Sequence, residues 1–122
     1  MLEDKITDRI IGCAIEVHKK LGPGLLEKIY ENALCVELGL NDIKYESQKP
    51  LAVNYKGNYI GDYRIDVLVE DKVVVEIKSV ERHDPVFEAQ ILSYMKLGGF
   101  KIGLLINFNS KLLKDGIKRY II

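Results

Sequence analysis

At 122 residues and 48% hydrophobic, the chain has the material for one buried core and too little for two, so any site must sit on a single scaffold spanning 1–122. Eighteen Lys and Arg balance eighteen Asp and Glu, at a pI near 6.7. That excludes the uniformly basic surface of a protein that coats nucleic acid non-specifically. No apolar run approaches about eighteen residues and no charged-then-apolar leader begins at Met1, so neither a membrane span nor a signal peptide is expected, and the cytoplasm is the expected location.

The first segment places Ile6, Ile10, Ala14, Val17 and Leu21 at intervals of three and four, which predicts an amphipathic helix over about Leu2 to Leu21. Gly22-Pro23-Gly24 ends it. A second helix is expected from about Leu25 to Leu38, with Leu26, Ile29, Ala33 and Val36 on one face and Gly39 placed to cap its C-terminus. Cys13 and Cys35 fall among apolar residues of these helices without CxxC or His spacing, the setting of reduced core thiols.

After Asn41-Asp42 the pattern changes to short β-branched and aromatic stretches. Strands are predicted near Lys44–Val53, Tyr59–Val69 and Lys72–Ser79 as an antiparallel meander. Asp84-Pro85 is a helix start, since Asp caps free amides and Pro suits the first helical position; this third helix runs to Gly98-Gly99. Phe100–Asn107 reads as a buried strand and Gly116–Ile122 as a final edge strand. Toward the end of the chain, Lys101, Lys111, Lys114, Lys118 and Arg119 stand against Asp115 alone, a local basic surface.

Glu76 and Lys78 interrupt the apolar strand Val73–Lys78 two residues apart, so both project from one face. If the preceding hairpin is symmetric about Asp71, paired positions sum to 142; Asp66 then lies opposite Glu76 and Arg64 opposite Lys78, with Cβ atoms about 5 Å apart. Two carboxylates so placed can share a hard divalent cation such as Mg²⁺, with Mn²⁺ as a substitute. Such a cation would polarise a phosphoryl oxygen and acidify a water, with Lys78 orienting that water or steadying charge on the phosphate and Arg64 as a further phosphate contact. The same four residues also fit alternating ion pairs on a solvated sheet face.

Gln90 and Tyr94 share one face of the third helix, positioned to orient a metal ligand, water or phosphate or simply to form a polar surface. Glu27 falls in the first turn of the second helix, where the helix dipole favours a carboxylate, and forms a polar stripe with Tyr30 and Glu31. His18 sits near the end of the first helix, either as a solvated residue or as a metal ligand.

Two sets of residues carry a family resemblance. Gly24-Leu25-Leu26-Glu27-Lys28-Ile29-Tyr30 resembles the signature of the GxxExxY proteins, and Asp66 with Glu76-Ile77-Lys78 resembles the D…(D/E)xK centre of the PD-(D/E)XK nuclease superfamily, to which that family is assigned. Gln90 through Tyr94 is similar to the QxxxY element of the exonuclease branch related to lambda exonuclease. Asp66 follows Ile65, so the literal proline of the motif is absent. The resemblance implies an α/β, restriction-endonuclease-like core: a mixed sheet containing the meander, flanked by helices. It implies Asp66, Glu76 and the Ile77 carbonyl as metal ligands, Lys78 as the catalytic lysine, Glu27 as a helix acid near the metal, and Gln90 and Tyr94 as supporting residues. A histidine preceding the helix acid binds a second metal in some relatives, which makes His18 a candidate.

The function so implied is metal-dependent hydrolysis of phosphodiester bonds in DNA. A catalytically silent module of the same fold that binds nucleic acid or protein, and a structural oligomer subunit, are the alternatives. A homodimer built on the edge strand or the apolar Tyr120-Ile121-Ile122 end is compatible with all three.

Overall fold

The computed structural model describes residues 2–122, with side chains from Asp4 onward; the expectation about a leader at Met1 concerns a residue outside that set. Helix α1 spans Leu2–Leu21 and α2 spans Glu27–Leu40. Strands β1 (Tyr45–Tyr55), β2 (Asn58–Val69) and β3 (Val73–Lys78) follow as antiparallel neighbours. Helix α3 (Pro85–Gly98) carries the chain to β4 (Ile102–Asn107), which lies parallel to β3. A 3-10 turn at Leu113–Gly116 leads into β5 (Ile117–Ile121), antiparallel to β4. The result is one five-stranded mixed sheet in the order β1-β2-β3-β4-β5. Three of its four pairings are antiparallel, joined by connections without an intervening α-helix, and only the α3 crossover makes the one parallel pair.

The hairpin turns are set by local chemistry. Lys56 and Gly57 both have positive φ between paired Tyr55 and Asn58, and Glu70 and Asp71 do the same after Val69. Such turns match the twist of the flanking strands. The start of α3 is as the sequence implies: the Asp84 carboxylate accepts from Val86 N at 3.0 Å, Pro85 is the first helical residue, and Gly99 closes the helix in the left-handed region.

Apolar residues pack on both faces of the sheet. On one, α1 and α2 supply Ile10, Ala14, Val17, Tyr30, Leu34 and Leu38 to a core shared with Val67, Val69, Val75 and Ile77. On the other, α3 supplies Ile91, Tyr94 and Met95 against Ile65, Leu68, Val74 and Leu105. Cys13 and Cys35 are buried free thiols. Among the described residues no helix is long and apolar enough to cross a membrane.

The second helix departs from expectation. It begins two residues later, runs through Gly39 to Leu40, and is capped by Asn41. Its buried face is Tyr30, Glu31, Leu34, Cys35 and Leu38, while Leu26, Ile29 and Val36 are exposed. Two helical stripes compete in this segment, and the one carrying Tyr30 wins because its ring stacks on buried Phe108 at 4.6 Å and its hydroxyl bonds to the preceding loop. The charged Glu31 is carried inward with it. The corrected face makes a plain prediction for chemical denaturation: Leu34→Ala should cost about 2–5 kcal/mol of stability, and Val36→Ser less than about 1 kcal/mol. Equal costs would contradict this orientation of α2.

Candidate functional site

The β2–β3 ladder has the register that symmetry about Asp71 requires, pairing Val69 with Val73, Leu68 with Val74 and Val67 with Val75. It stops there. At the next position the side chains take over from the backbone: Asp66 N donates to Glu76 Oε2 at 2.9 Å, and Ile77 N donates to Asp66 Oδ2 at 2.8 Å. Each carboxylate occupies a place that a ladder carbonyl would fill, and the strands part beyond it. Arg64 therefore does not face Lys78. It is exposed, lies opposite Pro50 of β1, and donates from Nη1 to Gln48 O at 3.2 Å.

On its other side β2 is also broken at Asp66. Pairing with β1 skips from Ser47–Val67 to Lys49–Ile65, and the intervening Gln48 has a φ of 52°. A non-glycine residue held in that region stores strain that the surroundings must offset. Ile65 and Val67, two residues apart, accordingly pack on opposite faces of the sheet. Asp66 is thus placed at the point where the strand turns over, within reach of groups from α2 on one side and of Glu76 on the other.

Glu31 is the group from α2. It is 4% exposed, accepts from Gln48 Nε2 at 2.8 Å through Oε1, and from Lys28 Nζ at 2.8 Å through Oε2. Gln48 Nε2 lies 3.5 Å from Asp66 Oδ1, so one amide sits between two carboxylates. Glu27, the helix acid expected from sequence, is exposed on the rim of the same cleft. That cleft has a volume of about 520 Å³ and is lined by Leu25, Leu26, Glu27, Lys28, Glu31, Gln48, Asp66 and Ser79. A cleft of similar size where β2 ends is lined by Lys44, Glu46, Glu70 and Asp71 among others. Two of its acids serve local structure, Glu70 accepting from Lys44 N and Glu46 pairing with Lys49.

The electrostatics of the first cleft are those of crowded carboxylates. Burial, then the neighbouring Asp66, pushes Glu76 up to about 8; burial also raises Asp66, against the Ile77 amide and Lys78, which lower it. Glu31 adds to the repulsion on both. Tyr94, 9% exposed on α3, is raised by burial and then by Glu76, which places its hydroxyl in the field of the pair.

Lys78 stands beside both carboxylates electrostatically while its ammonium lies 4.6 Å from the centre of the Phe87 ring. The end of its strand is fixed: Phe108 N donates to Lys78 O at 2.9 Å, and the Asn107 side chain clamps Val80 by accepting from its N at 3.1 Å and donating to its O at 3.0 Å. Gln90 is half-buried on α3 and makes no hydrogen bond to Asp66, Glu76 or Lys78. The His18 ring is committed elsewhere, its Nε2 lying 2.8 Å from Ser110 O beyond β4.

Among the described residues no three His, Cys, Asp or Glu side chains close on a point as a ready-made metal cage. The donor set nonetheless fits a hard divalent cation. Half-buried Asp66 beside buried Glu76, both pushed up by burial, is a carboxylate pair whose crowding a cation would relieve, and each carboxylate has a second oxygen beyond the one bonded to a backbone amide, that of Asp66 facing the Gln48 side chain.

The family of the chain follows from a match that covers almost all of it. The model of the PD-(D/E)XK nuclease superfamily matches residues 4–120, and the chain belongs to that superfamily. The five-stranded mixed sheet flanked by three helices is consistent with its restriction-endonuclease-like fold. Searches of curated proteins and of solved structures returned no match.

Glu31 and Gln48 are the residues sequence reasoning underrated. Glu31 was legible as the polar member of the Tyr30-Leu34-Leu38 stripe; Gln48 carries no sequence signal, because its role depends on an unusual backbone angle. The raised Glu76 gives a test in the metal-free protein. The folded chain holds that proton to about pH 8, whereas an ordinary glutamate releases it near 4.5. The native state then binds more protons across that window, and stability falls as pH rises through it. In urea titrations Glu76→Gln should gain stability relative to wild type between pH 5 and pH 8.5; a difference that does not change with pH would contradict the assignment.

Proposed function

We propose that the chain is a divalent-metal-dependent nuclease that hydrolyses phosphodiester bonds in DNA, acting in the cytoplasm and using Mg²⁺ or, in its place, Mn²⁺. The observation that carries this reading is the crosswise pairing of two carboxylates, half-buried Asp66 and buried Glu76, beside a lysine at the splayed end of β2 and β3. Membership of a nuclease superfamily supports it. The segment from Gly24 to Tyr30 supports placing the chain among the GxxExxY proteins, and the exposed edge strands are where a homodimer would form.

In this reading Asp66, Glu76 and the Ile77 carbonyl hold the cation, with Glu31 rather than Glu27 as the nearest helix acid. The bound cation supplies Lewis-acid charge at the phosphate and an acidified water. The chain supplies the rest. Lys78 brings a positive charge to the scissile phosphate once substrate draws its ammonium from the Phe87 face. Gln48, held through its carbonyl by Arg64, keeps Glu31 and Asp66 at a fixed separation. Tyr94 closes the α3 side of Glu76 against water.

Calorimetric titration with Mg²⁺ and Mn²⁺, followed by cleavage of labelled DNA with the same samples, tests the proposal. Wild type should bind and cut; Asp66→Ala should lose both, with cleavage down by more than about a hundredfold. Lys78→Ala should still bind the cation while losing cleavage. A wild-type protein that neither binds a cation nor cuts DNA would instead be the silent module.

A further inference from the structure

The basic run toward the end of the chain has no part in the carboxylate site, and the sheet divides it by face. Leu105 pairs with Glu76 on one side and with Lys118 on the other, so the three form a row across β3, β4 and β5, with Lys118 about 10 Å from Glu76 at the backbone. Leu105 packs under α3, which puts Lys118 on that face as well. Arg119 follows on the opposite face and pairs with Asp4. Among the described residues Lys118 is in no ion pair.

Lys118 shares a small pocket with Lys78. Its volume is about 70 Å³, against about 520 Å³ for the carboxylate cleft. Pockets for drug-sized ligands begin at roughly 300 Å³, so this one has room for a compact group and none for a nucleoside. Lys78, His83 and Lys118 line it as N–H donors, and exposed Asp115 is its one acid. Phe87 organises two of the three: the Lys78 ammonium sits over its ring, and the His83 ring stands nearly perpendicular to it with centroids 6.1 Å apart.

The wall opposite is closely fitted. Ser110 O lies 2.8 Å from His18 Nε2, which ties the loop after β4 to α1. Gly116 packs against the same loop so tightly that a Cβ there would collide with the Ser110 hydroxyl and the Asn107 carbonyl. Asn107 commits its side-chain amide to Val80. The Ser110 hydroxyl lines the pocket and has no hydrogen-bond partner among the described residues.

Two ammonium groups, an imidazole and a free hydroxyl around a space of this size suit a phosphate, and the same cations would repel a metal ion. Resting on the nuclease reading above, we infer that this pocket holds a non-scissile phosphate of the bound nucleic acid, with Lys118, His83 and the Ser110 hydroxyl as its donors. Lys78 stands between the pocket and the carboxylates, so seating one phosphate in the pocket brings the strand's next linkage toward Asp66 and Glu76. Specificity for the phosphate needs no base contact.

The test measures kcat and KM of the full chain in Mg²⁺ on labelled linear DNA, between about 50 and 200 mM salt. Lys118→Gln should raise KM about tenfold with kcat within about twofold of wild type, and should lower the salt slope of log(kcat/KM) by about one. Ser110→Ala should raise KM by about threefold, and Asp115→Asn should lower it. Lys101→Gln, an equal change of charge on an exposed lysine outside the pocket, should leave KM and the slope as they are. Substrates ending in phosphates or in hydroxyls separate the two sources of the group: a Lys118 effect on both assigns an internal phosphate, and an effect only on the phosphate-ended strand assigns a terminal one. Lys118→Gln and Ser110→Ala that leave KM and slope unchanged, or Lys101→Gln with the same loss as Lys118→Gln, would overturn the inference and leave the nuclease reading standing. No cleavage by wild type would overturn both.

Discussion

Everything that could serve chemistry in this chain depends on one interruption: at Asp66 the backbone ladder between β2 and β3 gives way to two side chain to backbone hydrogen bonds. A carboxylate in place of a peptide carbonyl brings charge into the sheet and leaves the strands free to part. The interruption is costly, because Glu76 is 5% exposed and surrounded by Asp66 and Glu31. Metal-free, the chain meets that cost by protonation. A divalent cation would meet it by binding, which is why a site unfavourable for folding is favourable for a metal.

The rest of the molecule holds the interruption open. Val67, Val69, Val75 and Ile77 pack under α1 and α2 and keep the register up to the break, so the break falls at Asp66 and nowhere else along the hairpin. Gln48 accepts a φ of 52° and spans two carboxylates with one amide, and Arg64 secures its carbonyl. On the far side Asn107 fixes the segment after Lys78, tying β3 to β4 where the parallel pair ends. Strain and buried charge are thus gathered at one end of the sheet and balanced by ordinary apolar packing at the other.

Much of this is legible in the sequence, and the reasons differ by element. The antiparallel order and the register follow from Asp71 as the centre of a tight turn and from the run Val73-Val74-Val75, whose alternate members must be buried on opposite faces. The order of elements follows from period, with threes and fours giving way to short β-branched stretches after Asp42. The face of α2 does not follow, because its segment holds two apolar stripes of similar strength and Tyr30 decides between them through the distant Phe108. That is why Glu27 stands out in sequence and Glu31 in the structure. Arg64 misleads for a related reason: a register extrapolated past Val67 assumes a ladder that the carboxylates have ended. Gln48 is silent in sequence, since neither its backbone angle nor its neighbours 17 residues back and 18 residues on are local properties.

The central claim is that the Asp66–Glu76 crossing is where a divalent cation binds. The most direct measurement is an amide spectrum of the labelled chain, recorded as a diamagnetic divalent ion, Mg²⁺, is added at pH 7.5. The account predicts that the Asp66 and Ile77 amide resonances move together and saturably, because both donate to the carboxylates that would bind the ion. Resonances that stay fixed at millimolar Mg²⁺, or saturable shifts confined to residues elsewhere, would contradict it.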